Sequence, residues 1–159
     1  MTTSLMHRAL PVLLVVEDGT EYVEFARLFV GDAFDVLAAR SAREALALLT
    51  DPGADALLVD LRFDRAPRED LIGDVDALAA RLFGGDRARA LRHVQDQQGA
   101  LVLGALREAG FPQRAVFVHD FPPRRLANLR ALYGDVHAVP SFDANAIRGA
   151  LTGARRPAR

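Results

Sequence analysis

Two apolar runs that lead into carboxylates constrain the fold of this chain more than any other feature. The first is residues 12–16, followed by Glu17 and Asp18, and the second is residues 57–61, which contains Asp60. Continuous aliphatic runs of this length are typical of strands that are buried on both faces, as in a parallel sheet. Because the carboxyl ends of parallel strands meet at one edge of a sheet, we expect the three acids to lie together.

The rest of the chain alternates strand and helix patterns. Ser41 is a good N-cap for the second helix, and Glu44 stands at the offset of a capping box. This alternation favours βαβ units with right-handed crossovers, and therefore a doubly wound α/β domain with a five-stranded parallel sheet. Further strands are predicted at 34–39, 115–118 and 136–139, and helices at 21–30, 42–49, 122–132 and 144–151.

A long stretch after Asp60 interrupts this alternation. Residues 62–69 have loop composition, residues 70–83 carry a helical apolar stripe, and Asp86 caps a helical pattern that runs to residue 109. The predicted domain is therefore 10–152, with tails 1–9 and 153–159 and an insertion of about 62–97. We expect the stripe to pack on its own domain; a docking surface or a lid over the acidic edge is the alternative. The stripe consists of Leu71, Val75, Leu78 and Leu82.

Composition excludes several classes of function. The net charge is −1, which argues against the basic surface that nucleic-acid binding needs. No apolar run is long enough to span a membrane and no signal-peptide pattern is present, so we expect a soluble cytoplasmic protein. The cluster Arg155, Arg156 and Arg159 is interpreted as a solvated tail. All 20 basic residues are Arg, so no lysine ammonium within this chain takes part in any mechanism.

The three convergent acids predict a cation site. Carboxylates that lie together repel one another unless a cation shares the site, and oxygen ligands favour Mg²⁺. Glu17, Asp18 and Asp60 are therefore the predicted metal ligands. The alternative is that these acids cap the helices that follow them. Residues 17–20 form neither a dinucleotide fingerprint nor a P-loop, so we do not expect a bound nucleotide.

Three segments resemble the CheY-like receiver domain of bacterial two-component response regulators. They are VVED at residues 15–18, AREAL at 42–46 and LLVDL at 57–61, and the separation of the acids is close to that of the family. The resemblance covers about residues 10–151. It implies a receiver or flavodoxin-like sheet of strand order 2-1-3-4-5, with an extra helical insertion between the third strand and the third helix.

The resemblance also implies roles for individual residues. Asp60 matches the aspartate that accepts a phosphoryl group from a sensor histidine kinase, and Glu17 and Asp18 match the acids that hold Mg²⁺ with it. A sensor kinase or another signalling protein is the implied partner. The helices at 122–132 and 144–151 are the implied contact surfaces, including those of a homodimer.

Several positions depart from the family pattern, which marks this receiver as atypical. Val139 stands where the family has a lysine before proline, and Val136 stands at the aromatic switch position. His119, with Asp120 as the alternative register, stands where the family has Thr or Ser; a hydrogen-bonded residue at the end of a strand is the other interpretation. Arg62 is either a solvated loop charge or a replacement for the missing lysine.

The sequence is compatible with two main function classes and with a third that is less favoured. The first is an atypical stand-alone receiver of two-component (phosphorelay) signalling that acts through protein contacts, with Asp60 as phosphoacceptor. The second is a pseudo-receiver, an interaction module whose output does not require phosphorylation. The third is an Mg²⁺-dependent phosphatase-like enzyme, which is disfavoured because Arg62 stands where its second acid would lie. We expect no enzymatic activity and no output domain within the 159 residues.

Overall fold

The computed structural model describes residues 9–154, and the predicted arginine cluster of the C-terminal tail lies outside them. Within this part of the chain, five parallel strands form one sheet of order β2-β1-β3-β4-β5, which confirms the predicted fold class and strand order. The strands are β1 (Val12–Val16), β2 (Asp35–Ala39), β3 (Ala56–Val59), β4 (Arg114–Phe117) and β5 (Val136–Ala138).

Helices cover both faces of the sheet. One face packs against the helices at residues 42–50, 98–108 and 123–133, and the other packs against those at residues 21–29 and 144–151. No helix in residues 9–154 is long and apolar enough to cross a membrane. The helices are α1 (Glu21–Phe29), α2 (Ala42–Thr50), α3 (Val75–Leu82), α4 (Arg87–Asp96), α5 (Gln98–Glu108), α6 (Pro123–Tyr133) and α7 (Ala144–Leu151), with a 3₁₀ turn at Arg68–Asp70.

Strands β1 and β3 are apolar along their whole length because helices cover both faces of the sheet. Leu14 and Leu57 point into the core beneath α2 and α5, whereas Leu13 and Leu58 point into the core beneath α1 and α7. All four side chains are fully buried. Each contributes roughly 1.5–3 kcal/mol of transfer free energy, so these runs fix the position of the acids that follow them.

The cap of α2 follows the prediction with one difference. The Ser41 hydroxyl accepts a hydrogen bond from the Glu44 N–H at 3.2 Å. The Glu44 carboxylate reaches back to the N–H of Arg40 at 2.7 Å, one residue before the N-cap. Two N–H groups at this helix start are therefore satisfied by side chains, as a capping box requires.

The predicted single helix from residue 86 to 109 is wrong, because the chain forms α4 and α5 with a break at Gln97. Backbone groups on both sides of the break bond to the segment that follows β3. The Phe63 N–H donates to the Gln95 carbonyl at 2.9 Å, and the Gly99 N–H donates to the Leu61 carbonyl at 2.9 Å. These contacts redirect the chain, so that α4 packs on α3 while α5 packs on the sheet.

The predicted helix at 70–83 is shorter than expected, and its stripe is only partly buried. Helix α3 begins after Asp74, whose carboxylate accepts the Ala77 N–H at 3.0 Å. Leu71 packs against the main core, as expected. Leu82 is 63% exposed, so the prediction that the whole stripe packs on the domain is wrong at this residue.

Candidate functional site

The strands end together and place a row of residues along one edge of the sheet. Val16 pairs with Val59, which pairs with Phe117 in β4. Hydrogen bonds continue one residue further: the Asp60 N–H donates to Val16 at 2.9 Å, and the Val118 N–H donates to Val59 at 3.1 Å. Val139 extends the pattern, because its N–H donates to Phe117 at 2.9 Å. Across the sheet, the row just beyond the strands is Glu17, Asp60, Val118 and Val139.

Glu17 anchors the start of α1. Its side chain accepts the N–H of Tyr22 at 3.2 Å through one oxygen and the N–H of Val23 at 2.8 Å through the other. These are donors that the first turn of a helix leaves without an intrahelical partner. Glu17 is 2% exposed, and burial raises its pKa against the opposing effect of these two N–H groups. The helix-capping alternative from the sequence therefore describes the contacts that Glu17 makes.

Arg65 pairs with Asp18, although no sequence pattern singles this arginine out. Its backbone N–H donates to Asp18 Oδ2 at 2.7 Å, and its Nη2 lies 3.6 Å from Asp18 Oδ1. The same guanidinium donates to both carboxylate oxygens of Glu21, at 2.7 and 2.9 Å. These bonds lower the pKa of Glu21 to about 2. No local pattern connects these residues, because the contact joins the loop after β1 to the loop after β3.

Asp60 lies beside the other two acids and has no ion-pair partner within residues 9–154. Its pKa is raised to about 6, first by burial and then by the charges of Asp18 and Glu17. The backbone N–H groups of Arg62 and Leu61 oppose this shift. The structure therefore brings the three predicted acids together. Their mutual repulsion contributes to the raised pKa of Asp60.

The positions that flank Asp60 towards β4 and β5 are apolar. Val118 and Val139 are both buried, so the next two places in the row carry neither a hydroxyl nor a charge. His119 lies one residue beyond the row, and its ring packs edge-on against Phe121 with 4.6 Å between centroids. Val136 is buried in the core beneath α2 and α5 and does not line this edge.

The positive charge of Arg62 affects the pKa of His119. Burial lowers the pKa of His119, and the nearby charges of Arg62 and Arg125 lower it further, so the imidazole is neutral at pH 7. Arg62 is exposed and has no ion pair in the described part of the chain. The cation that pairs with Asp18 and Glu21 is Arg65, three residues further along.

A hydroxyl pair that sequence reasoning missed ties α1 to the loop after β5. The Tyr22 hydroxyl donates to Ser141 Oγ at 3.1 Å, and the Ser141 hydroxyl donates to the Val118 carbonyl at 3.2 Å. Tyr22 also stacks on Phe142, with ring centroids 4.8 Å apart. Both hydroxyls are engaged by this chain of bonds, and no sequence motif links their positions.

The acids do not fit an Mg²⁺ site in the arrangement observed. Both Glu17 oxygens accept helix N–H groups, and both Asp18 oxygens face Arg65. Among residues 9–154, no three His, Asp or Glu side chains form a group suited to a metal ion. A divalent cation shared by Asp18 and Asp60 would have to displace the Arg65 guanidinium.

Comparison with known proteins agrees on the fold. No family model and no curated protein matches the sequence. Chemotaxis protein CheY4 of Vibrio cholerae matches with a TM-score of 0.60 and 16% identity, over 92% of this chain and 99% of that one. A response regulator receiver domain protein of Clostridium thermocellum matches with a TM-score of 0.58 and 14% identity, over 91% and 94%. A CheY-like receiver domain protein of Methanospirillum hungatei JF-1 matches at 0.56 and 14%, over 90% and 91%. The chain therefore has the fold of response-regulator receiver domains, as its resemblance to them predicts.

Proposed function

We propose that this protein is a receiver-fold signalling module that acts through contacts with another protein and does not require phosphorylation of Asp60. The observation that carries the proposal is the row beside Asp60, where Val118 and Val139 are both buried and apolar. The resemblance implies a hydroxyl at the position of His119 and an ammonium group at the position of Val139; His119 instead packs its ring on Phe121, and Val139 is apolar. Charge-assisted contacts of this kind contribute about 1.5–3 kcal/mol each, and neither Val139 nor the neighbouring Val118 makes one.

The charges around Asp60 support the same proposal. A phosphoryl group brings roughly 1.5–2 negative charges, and the pKa of Asp60 already shows repulsion from Asp18 and Glu17. The Arg65 guanidinium is committed to Glu21 and Asp18. The proposal gives the chain no catalytic activity of its own.

A groove between α4, α5 and α6 supports contact with a protein partner. Its volume is about 580 Å³, and Leu101, Leu129 and Tyr133 supply apolar surface. Arg124, Arg125 and His93 also line it, and no carboxylate does. The partner that fits is an amphipathic segment of a signalling protein whose apolar side chains are flanked by Asp or Glu.

The test is direct phosphorylation of the whole chain. The protein is incubated with Mg²⁺ and acetyl phosphate, and its intact mass is compared with that of Asp60→Asn treated in the same way. We expect no phosphoryl adduct on either protein. An adduct on the wild type that Asp60→Asn lacks would overturn the proposal and favour the phosphorylated receiver.

A further inference from the structure

We propose that Arg65 is a built-in cation that replaces a divalent metal ion at the acidic edge of the sheet. The inference rests on the contacts of Arg65 and does not depend on whether Asp60 accepts a phosphoryl group. The role of the 62–66 loop is then to place the positive charge of Arg65 beside Asp18 and Glu21, which follow β1.

Arg65 contacts the acidic edge of the sheet through both its backbone and its guanidinium. Its backbone N–H donates to Asp18 Oδ2 at 2.7 Å. Its guanidinium donates two hydrogen bonds to the Glu21 carboxylate and lies 3.6 Å from Asp18 Oδ1. A planar guanidinium with parallel N–H groups suits this bidentate contact, which a lysine ammonium does not reproduce. The Asp18 side chain is 1% exposed beneath it.

The backbone at Gly19 leaves space for the Arg65 guanidinium. An added Cβ at Gly19 would lie 2.2 Å from Arg65 Nη2 and 2.4 Å from Glu21 Oε2, closer than real Cβ contacts allow. The absence of a side chain at Gly19 therefore lets the ion pair of Arg65 and Glu21 lie against the chain between β1 and α1. An alanine at this position would require the ends of the Arg65 and Glu21 side chains to shift from where they lie.

Asp18 and Asp60 are the acids whose oxygens remain for a metal ion with least cost to the fold. Each oxygen of Glu17 already accepts an N–H group at the start of α1, so turning Glu17 towards a cation would weaken the start of that helix. Mg²⁺ commonly binds through one or two carboxylates and several waters, so this pair would suffice once Asp18 were released. Removal of the Arg65 charge should therefore expose a divalent metal site that the wild type blocks.

The experiment is a titration of the full chain with Mn²⁺, followed by the electron paramagnetic resonance signal of the free ion, with Mg²⁺ as competitor. We expect no saturable binding to the wild type at millimolar concentrations. Arg65→Gln should bind with a Kd at least about tenfold below the highest Mn²⁺ concentration at which the wild type shows no saturable binding. Adding Asp18→Asn to Arg65→Gln should remove that binding. Arg68→Gln, which removes a charge from the 3₁₀ turn that follows this loop, should behave like the wild type.

Gly19→Ala keeps the experiment decisive if Arg65→Gln does not fold. It retains the arginine and displaces it, so it should also gain Mn²⁺ binding. Wild-type binding as tight as that of Arg65→Gln would overturn the inference. So would folded Arg65→Gln and Gly19→Ala proteins that both fail to bind. The phosphorylation test is scored separately, because it reads a covalent mass whereas this titration reads free Mn²⁺.

Discussion

At the scale of single residues, Asp60 is defined by what lies beside it. It has two acids on one side and buried valines on the other, and no ion pair reaches it within residues 9–154. Burial and these acids raise its pKa to about 6. Its ionised form is therefore less stable in the folded protein than in the unfolded chain.

Asp60→Asn should stabilise the protein in a pH-dependent manner. Because the folded protein holds this proton to a higher pH than the unfolded chain does, the wild type loses stability as pH rises from about 4 to about 6. Above pH 7 the variant should be more stable by about 1–2 kcal/mol, after allowance for solvent screening at this half-buried site. Below pH 4 the two proteins should unfold alike.

Urea unfolding across this pH range measures the difference. Asp120→Asn is the matched control, because Asp120 is exposed at the same edge, and it should change stability by less than about 0.5 kcal/mol. A destabilised Asp60→Asn at pH 8 would show that Asp60 has a stabilising partner, contrary to this account.

At the scale of elements, the contact between α5 and the end of β3 positions Asp60. Gly99 lies so close that an added Cβ would be 2.1 Å from the Asp60 carbonyl oxygen and 2.9 Å from the Leu61 Cα. Both neighbours are backbone atoms, which cannot rotate away as a side chain can. The glycine is thus required for α5 to pack directly on the acidic edge.

Gly99→Ala should destabilise the fold despite the higher helix propensity of alanine. We expect a net loss of about 2 kcal/mol, since overpacking outweighs the gain of about 1 kcal/mol from propensity. Gly149→Ala is the control, because Gly149 lies in α7 with open space around it. It should gain about 0.5–1 kcal/mol. Thermal and urea unfolding compare the two variants, and equal effects of the same sign would contradict the close approach.

Gln98, in α5, forms hydrogen bonds with the backbone of the inserted segment. It is buried, and its amide accepts the Ile72 N–H and donates to the Ile72 carbonyl, both at 2.9 Å. Gln98→Met preserves volume but removes both bonds, so it should cost about 2 kcal/mol and speed amide exchange at Ile72. Gln95→Met, at a position whose side chain makes no hydrogen bond in the described structure, should cost less than about 0.5 kcal/mol. Unchanged exchange at Ile72 would show that other contacts hold the insertion.

At the scale of the whole molecule, the groove beside α6 is the surface proposed for a partner. Leu132 is 71% exposed at its rim, and Arg124 has no ion pair within the described residues. This combination of apolar and cationic surface separates the proposed contact site from the acidic edge. The two regions can therefore be tested by different variants.

A synthetic helical peptide with leucines at i, i+4 and i+7 and flanking glutamates should bind the groove. Arg124→Glu should weaken binding by about tenfold, whereas Arg40→Glu, an equal charge change near β2, should not. Fluorescence anisotropy of the labelled peptide provides the measurement. Equal binding of a peptide with lysines in place of the glutamates would rule out the acidic partner.

The sequence predicted the fold because the fold depends on patterns that are local. The buried runs of β1 and β3, and the cap at Ser41, are each visible within a few residues. The break at Gln97 was not predictable, because it depends on hydrogen bonds to the segment after β3. The acids were placed at the correct edge, but the Arg65 contact comes from a separate loop and has no local signature.

The central claim is most directly tested by amide NMR of the isotope-labelled chain during addition of Mg²⁺ and beryllium trifluoride, a phosphoryl analogue. The account predicts no saturable change at Asp60, at His119 or in β5, because the row beside Asp60 offers the analogue no hydroxyl or charge. A second set of resonances that grows with the analogue at Asp60 and extends through β5 to α6 would contradict it.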